Sequence, residues 1–250
     1  MRIFLAGASG AIGRRLVPLL LGAGHQVTGT TRYAETARIL ERAGVVPAVV
    51  DVFDASALTA AVLAAQPVVI IHQLTDLPRE FDEAQVVASG PKNARIRSEG
   101  TRNLIAAAQA AGTHRFIVQS ISFAYAPGGE PHPETDPLNL GDPARAVTVK
   151  GVVDMERQVL AASGIEGIVL RYGLLYGPGT WSRTPARKPA LHVDAAAHAA
   201  LLAVTRGGPG VYNIANDDGA VSIAKARAED RKSTRLNSSH IAVSRMPSSA

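Results

Sequence analysis

Near the start of the chain stands the stretch Ile3-Phe4-Leu5-Ala6-Gly7-Ala8-Ser9-Gly10-Ala11-Ile12-Gly13, on which the interpretation of the whole sequence depends. Its apolar first part predicts a short buried strand, and residues 14–21 continue with helical character. Three glycines separate these two elements. Gly7 permits a tight turn, Gly10 lets a pyrophosphate approach the backbone, and Gly13 lets the helix pack close to the strand.

The same turn presents the N–H groups of a first helical turn, where the positive end of the helix dipole favours phosphate. An ordinary strand-to-helix connection is the alternative. The strand before the glycines and the helix after them are, however, the context in which this motif binds a dinucleotide. The predicted phosphate-binding residues are Gly7, Ser9, Gly10, Ala11, Ile12 and Gly13.

Composition narrows the class of protein. The chain has 250 residues, of which 46% are hydrophobic and 4% aromatic, enough for one α/β domain with a sizeable core. The absence of cysteine excludes disulfides, thiolate metal sites and a cysteine nucleophile, and the dispersed histidines predict no metal site. No apolar run reaches the ~20 residues of a membrane span, and a strand opens the chain, so we expect a cytoplasmic protein.

The formal net charge is +5, which by itself suggests a nucleic-acid partner. Residues 230–250 hold four of the basic residues and one acid, and without them the net charge is +2. The remaining Lys and Arg are dispersed, with no basic patch interleaved with aromatics. We therefore expect neither nucleic acid nor membrane as a partner.

Residues 230–240, Asp-Arg-Lys-Ser-Thr-Arg-Leu-Asn-Ser-Ser-His, have no periodicity and are similar to the translation of a short-read sequencing adapter. Residues 244–250 match the same adapter where it resumes after a sample barcode. A natural polar, disordered tail is the alternative. We expect residues 230–250 to be non-native and the natural protein to continue beyond about Glu229.

Three positions after later strands bear on the cofactor. Arg32 follows the second strand, where an acid would bind a ribose 2′-hydroxyl and an arginine accommodates a 2′-phosphate. This favours NADP, with NAD as the alternative. Asp51, after the third strand, is placed to bond an adenine edge. His72, at the end of the fourth strand, stands near the cofactor crevice; a packed structural histidine is the favoured interpretation, and a cofactor contact is the alternative.

Alternating strands and helices of ordinary length predict a doubly wound parallel sheet. Residues 76–92, with Gly90-Pro91, are predicted as a loop-rich insertion, and Asn93–Ala111 as one long helix. A second long helix is predicted over Val147–Ala162.

In motif order and spacing, the sequence resembles the extended or atypical short-chain dehydrogenase/reductase superfamily, the NAD(P)-dependent epimerase/dehydratase group. The resemblance covers about residues 1–220. It implies a Rossmann sheet with a small C-terminal substrate lobe, which is truncated here. The motifs that carry it are Gly7–Gly13, Glu99–Leu104, Arg115–Ser120, Arg171–Gly179, His192–Asp194 and Tyr212–Ile214.

The proton-transfer residues depart from the family pattern. The family carries a Tyr and, four residues later on the same helical face, a Lys that lowers the tyrosine pKa. Lys150 is the candidate for this lysine and for a contact with a ribose hydroxyl. Ala146, however, stands four residues before it, where the family has the tyrosine. Tyr125 is the only nearby phenol. The position of the family's Ser or Thr is taken by Ile, so Ser120 and Ser122 are the flanking candidates.

The resemblance therefore implies an NAD(P)-dependent oxidoreductase, epimerase or dehydratase that transfers a hydride at a carbonyl or carbinol carbon of a small-molecule substrate. A non-catalytic NADP(H)-binding regulator and an inactive fragment of such an enzyme are the alternatives. The expected units are an NAD(P)-binding domain over 1–178 and a substrate-lobe remnant with the last sheet elements over 179–229. By analogy with the family, the two long helices pair with their copies in a homodimer.

Overall fold

Nine strands form two parallel sheets in the computed structural model, which describes residues 1–78 and 80–234. The larger sheet has seven strands and the smaller has two. In chain order the strands are β1 Arg2–Ala6, β2 Gln26–Thr31, β3 Val46–Val49, β4 Val69–His72, β5 Arg115–Ile121, β6 Glu166–Tyr172, β7 Leu174–Tyr176, β8 Ala190–His192 and β9 Gly210–Ile214.

The large sheet has the order β3-β2-β1-β4-β5-β6-β9, and every neighbouring pair is parallel. The chain first runs outward from β1 to β3 and then returns to place β4 on the other side of β1. The gap between the carboxyl ends of β1 and β4 is therefore the switch point, where open α/β sheets bind their ligands. The predicted doubly wound Rossmann sheet is confirmed.

Helices cover both faces of this sheet. They are α1 Ala11–Gly22, α2 Ala34–Arg42, α3 Ala55–Ala65, α4 Glu83–Ala88, α5 Gly90–Arg95, α6 Thr101–Ala110, α7 Ala146–Leu160, α8 Val193–Ala203 and α9 Ala224–Thr234, with a π-helical turn at Ile96–Gly100. None of these helices combines the length and the apolar character needed to cross a membrane.

Two apolar cores lie on the two faces because successive residues of a strand point in opposite directions. Ile3 and Leu5 of β1 pack with α1 and α8, whereas Phe4 packs with α3, α6 and α7. All three side chains are buried, so both faces of β1 are covered. This double coverage explains why the strand is a continuous apolar run rather than an alternating one.

The predicted loop at 76–92 contains two short helices. α4 begins after Asp82, whose carboxylate accepts a hydrogen bond from the N–H of Gln85 at 3.0 Å. In α5, Pro91 stands in the first turn, where its missing N–H costs nothing. The Gly90-Pro91 pair thus begins a helix, although the sequence suggested a break.

The structure also differs from the prediction over Asn93–Ala111, where a single helix was expected. This stretch consists of the end of α5, the π turn and α6. A π turn adds about one residue per turn, which the spacing of apolar side chains does not reveal. Its effect is to change the direction in which residues 96–100 point.

Two other predictions concern the carboxyl-terminal part. Within residues 179–229, β9 pairs with β6 in the main sheet, and β8 pairs with β7 in the small one. The domain boundaries remain a prediction. The predicted non-native tail begins inside α9, and from residue 235 onward it lies outside the described residues.

Replacement of Gly13 by alanine tests the turn on which the sheet and α1 meet. A β-carbon at residue 13 would lie 2.2 Å from the carbonyl oxygen of Gly7, so Gly13→Ala is expected to lower the free energy of unfolding by at least about 2 kcal/mol. Urea unfolding followed by circular dichroism measures this. Gly22→Ala, on the same helix with no atom within 4 Å of the new carbon, is the control and stays within about 1 kcal/mol of the parent. Equal stability of the two variants would contradict the packing argument.

Candidate functional site

The glycine turn brings the ends of β1, α1 and β4 into backbone contact. Gly7 has a positive φ of 98°, and a β-carbon there would lie 2.8 Å from the backbone carbonyl of Gln73, the residue after β4. Gly13 faces the opposite side of the turn, against the carbonyl oxygens of Gly7 and Ala8. Both positions require glycine because backbone atoms occupy the space of a side chain.

Gly10 is a glycine that packing within the protein does not explain. A β-carbon at residue 10 would meet only the carbonyl oxygen of Gly7, at the ordinary contact distance of 3.4 Å, and its φ of −73° suits any residue. The space beside it is open and Gly10 is exposed. A phosphate group that approaches the backbone closely accounts for a glycine here, so the turn fits a dinucleotide.

The start of α1 is electrostatically suited to an anion. Gly10 is its N-cap and supplies no side-chain hydrogen bond, and no acidic residue stands in the first turn. Arg14 instead donates to the carbonyl oxygen of Ser9 at 2.7 Å, which adds a positive charge at this end of the helix. The N–H groups of the first turn are thus left for an anionic ligand.

A pocket of about 170 Å³ extends from this turn across the carboxyl ends of the strands. Ser9 and Gly10 form one wall of the pocket. Apolar side chains that suit the faces of an adenine ring form the interior. They are Val50, Val52, Leu58, Ile96 and Leu104.

Four charged residues line this pocket, namely Arg32, Asp51, Asp76 and Lys92. Arg32 and Lys92 both approach one carboxylate oxygen of Asp76, at 3.7 Å and 2.9 Å. Arg32 and Lys92 are each close to half exposed, so they keep donors free for a ligand. The sequence predicted Arg32 here and missed Lys92, because the segment that carries Lys92 was interpreted as a loop.

Asp51 lines the pocket, with its carboxylate accepting a hydrogen bond from the N–H of Phe53 at 3.0 Å, and its contact with adenine remains a prediction. His72 lies at the end of β4 but is buried beneath the pocket rather than lining it. Burial, reinforced by the positive charge of Arg97, lowers the pKa of His72 to about 3, so the ring is neutral. Its Nδ1 accepts a hydrogen bond from the N–H of Leu74 at 3.2 Å, so the ring proton is on Nε2.

Two of the predicted catalytic hydroxyls belong to a buried ionic network. Glu156 of α7 and Arg171 of β6 form a two-pronged ion pair with distances of 2.6 and 2.9 Å, and both side chains are only 7% exposed. Ser120 donates to Glu156 at 2.6 Å. Tyr125 accepts from Arg171 at 2.8 Å and donates to Asn213 at 2.7 Å. The two hydroxyls complete the hydrogen bonding of a buried charge pair, as such a pair requires.

The environment of Tyr125 also opposes proton transfer. Burial raises the pKa of its phenol, with Arg171 and Asn213 partly offsetting the effect. A tyrosine that serves as the proton donor in this superfamily needs a nearby lysine that lowers its pKa. Tyr125 has an arginine that is already neutralised by Glu156.

The remaining two catalytic candidates lie apart from this network. Lys150 is 73% exposed on α7 and pairs with Asp154 at 3.7 Å. Ser122, just beyond β5, is buried, and its hydroxyl has no hydrogen-bond partner in the described part of the chain. The structure does not bring Lys150, Ser120, Ser122 and Tyr125 into one constellation, and their catalytic roles remain a prediction.

Comparison with known proteins now identifies the family. A family model described as NAD(P)H-binding matches residues 7–200, which include the glycine turn, all but one of the residues that line the pocket, and the Glu156–Arg171 pair. The chain belongs to this NAD(P)H-binding family. The cofactor class predicted from the glycine turn is therefore confirmed. Membership of the family does not distinguish NADP from NAD.

A known relative and two solved structures are similar to this NAD(P)H-binding protein. A 3-diazoavenalumate denitrifying reductase from a Streptomyces species is 42% identical over 233 residues, 92% of this chain and 72% of that protein. The Thermotoga maritima UDP-glucose 4-epimerase, solved with UDP-glucose, has a TM-score of 0.71 at 20% identity and covers 90% and 80% of the two chains. The Thermus thermophilus UDP-glucose 4-epimerase, solved with NAD, has a TM-score of 0.68 at 22% identity over 88% and 79%. The two epimerases show the fold alone.

Sequence reasoning missed two arginines of this NAD(P)H-binding protein, Arg97 in the π turn and Arg145 before α7. Burial and the like charge of Arg145 lower the pKa of Arg97 to about 10, with Glu156 opposing them. Arg145 donates to the carbonyl oxygen of Phe123 at 2.8 Å, just beyond the end of β5. No sequence signal marks either residue, because the π turn and the loop before α7 together bring them close.

The buried network can be tested by its effect on stability. Glu156→Gln leaves the guanidinium of Arg171 buried without a countercharge, so the free energy of unfolding is expected to fall by about 3–5 kcal/mol. Urea unfolding measures it. The control is Glu166→Gln, which removes an equally short ion pair to Arg115 in which Glu166 is 53% exposed, and should cost at most about 1 kcal/mol. A similar loss in the two variants would argue against a special role for the buried pair.

Proposed function

We propose that the chain is an NADP(H)-dependent reductase whose hydride acceptor requires no proton from a protein side chain, with an aromatic diazo compound as the acceptor class. Two observations together carry the proposal. The glycine turn and the pocket for the dinucleotide are both present, but the usual proton donor is missing from the neighbouring site. Ala146 stands where the family's tyrosine is expected, and Tyr125 is held by Arg171 and Asn213.

A carbonyl acceptor and a diazonium acceptor make different demands on the protein. Hydride addition to a carbonyl leaves an alkoxide, which a tyrosine normally protonates. Reduced nicotinamide supplies a hydride, and one hydride added to an aryl diazonium cation gives an arene and dinitrogen as the carbon–nitrogen bond breaks, which balances atoms and charge. No external proton enters this reaction, so the protein has only to bind and orient the acceptor.

The relative with 42% identity supports this class of reaction, since it is named as a reductase that denitrifies a diazo carboxylate. The alignment covers 92% of this chain and therefore most of the fold described above. An exposed aromatic pair supports an aromatic acceptor. Phe81 and Trp181 pack edge to face with ring centroids 5.5 Å apart, and Trp181 donates to the carbonyl oxygen of Pro78, in the loop after β4.

For the cofactor, the glycine turn would hold the pyrophosphate and the apolar pocket with Asp51 the adenine. Arg32 would bind the 2′-phosphate of NADP, because it stands at the end of β2 beside the pocket and keeps much of its guanidinium exposed. Lys92, 2.9 Å from the same carboxylate of Asp76, would add a second positive charge.

The cofactor preference can be measured by fluorescence titration with NADPH and NADH. Arg32→Gln is expected to weaken NADPH binding by at least about tenfold, the value of a charge-assisted phosphate contact, and to leave NADH binding unchanged. Arg38→Gln, an exposed change on the following helix α2, is the matched control and should leave both affinities unchanged. Equal binding of the two cofactors by the parent protein and by Arg32→Gln would refute the choice of NADP.

The acceptor class can be tested with an aryl diazonium salt, with NADPH oxidation, arene and dinitrogen all quantified against a protein-free blank. Tyr125→Phe is expected to retain kcat within about threefold, whereas loss of a general acid costs about 10²–10⁴-fold. A loss of that size would assign the proton transfer to Tyr125 and sink the proposed acceptor class. NADPH binding without oxidation over a panel of diazo and carbonyl compounds would favour the non-catalytic regulator.

A further inference from the structure

An arginine without a partner lies next to the dinucleotide pocket. Arg97 is partly buried, and within residues 1–78 and 80–234 it makes neither a hydrogen bond nor an ion pair. It stands in the π turn Ile96–Gly100. Partial burial of a guanidinium without a countercharge is unfavourable, and π turns in helices are frequent at functional sites.

A second arginine adds to the positive charge. Arg145 is near enough to Arg97 to lower its pKa, and one of its nitrogens donates to Phe123. The segments that carry the two arginines pack closely, since a β-carbon on residue 151 of α7 would lie 2.9 Å from the Ala94 α-carbon. Gln158 of α7 also donates to the carbonyl oxygen of Ser98 at 3.1 Å. These contacts hold the π turn against α7.

The surroundings of Arg97 offer hydrogen-bond donors but no carboxylate that is free to pair with its guanidinium. Glu156 is the nearby carboxylate, and it is already bonded to Arg171 and Ser120. His72 is neutral, with a buried Nε2–H that has no acceptor among the described residues. The helix α7, which begins directly after Arg145, has no acidic residue in its first turn. Every one of these features favours an anion from outside the chain.

We propose that Arg97 and Arg145 form a subsite for the carboxylate of the substrate, next to the nicotinamide end of the cofactor site. The subsite lies beyond the carboxyl ends of β4 and β5, the side of the sheet at which ligands bind in this fold. The subsite rests on the proposed function only for the chemical group of the substrate that reacts. Recognition of a negatively charged carboxylate does not depend on that function.

The carboxylate of a substrate fits this position better than a phosphate of the cofactor. Ile96 lines the dinucleotide pocket, whereas Arg97, one residue on, does not. Consecutive residues of a π turn point in directions roughly 80–90° apart, so the guanidinium leaves the nucleotide side of the helix. A planar guanidinium also matches a carboxylate with two parallel hydrogen bonds.

The experiment uses the full chain and measures binding of cinnamate and of its neutral amide, cinnamamide, by calorimetry, with and without saturating NADP⁺. The parent protein is expected to bind cinnamate at least about tenfold more tightly than cinnamamide. Arg97→Gln and Arg145→Gln are expected to remove this preference, and Arg97→Lys to retain part of it, because the charge stays and the planar fork is lost. Arg157→Gln, a 76% exposed change on α7, is the matched control and should keep the preference.

Two further readouts separate this role from others. The thermal midpoint of Arg97→Gln is expected to equal or exceed that of the parent, because an unpaired, partly buried charge is removed; a clear decrease would indicate a structural role and overturn the subsite. NADPH affinity is expected to be unchanged in Arg97→Gln. Weaker NADPH binding with unchanged cinnamate binding would assign Arg97 to the cofactor and likewise overturn it.

The subsite and the proposed function fail in different ways. If the aryl diazonium salt is not reduced but the cinnamate preference depends on the two arginines, the acceptor class is wrong and the subsite stands. If the salt is reduced and the parent protein binds cinnamate no better than cinnamamide, the subsite is wrong and the reductase stands.

Discussion

The close contact between residue 13 and the carbonyl oxygen of Gly7 is the constraint on which the rest of the molecule depends. It seats α1 directly against the turn after β1, with no side chain between. The first N–H groups of α1 then face the gap between β1 and β4, and the residue after β4 closes over Gly7 from the other side. The phosphate-binding corner of the pocket therefore results from backbone packing, and side chains complete only its interior.

The strands and most helices could be predicted because their signals are local. Apolar runs such as Ile3–Ala6, stopped by glycine or led by a capping residue such as Asp54, need no knowledge of the remaining chain. The π turn could not be predicted, since it adds a residue without changing the character of the side chains. The pairing of Arg97 with Arg145 could not be predicted either, because 48 positions separate them in the sequence.

The catalytic candidates also show what the sequence alone does not reveal, namely which contacts a side chain makes in the folded protein. Ser120 and Tyr125 lie beside a motif of the superfamily, and their hydroxyls are of the correct chemical type. Whether a hydroxyl is free depends on what faces it, and here the buried pair of Glu156 and Arg171 faces both. A charge pair that is almost fully enclosed must have its remaining donors and acceptors satisfied. The network thus uses the polar groups that the sequence alone would assign to catalysis.

The charge distribution joins these observations into one account of the site. Arg32 and Lys92 share a single carboxylate at the nucleotide end, while Arg97 and Arg145 share none that is free at the other. The nucleotide end thus carries Arg32 and Lys92 beside the carboxylates of Asp51 and Asp76, while Tyr125 is held in the buried network and Lys150 lies exposed on α7. In the proposed reaction, such a site would hold an anionic cofactor and an anionic substrate in place and would contribute position rather than a proton. The diazonium acceptor proposed above fits such a site, because dinitrogen leaves it without protonation.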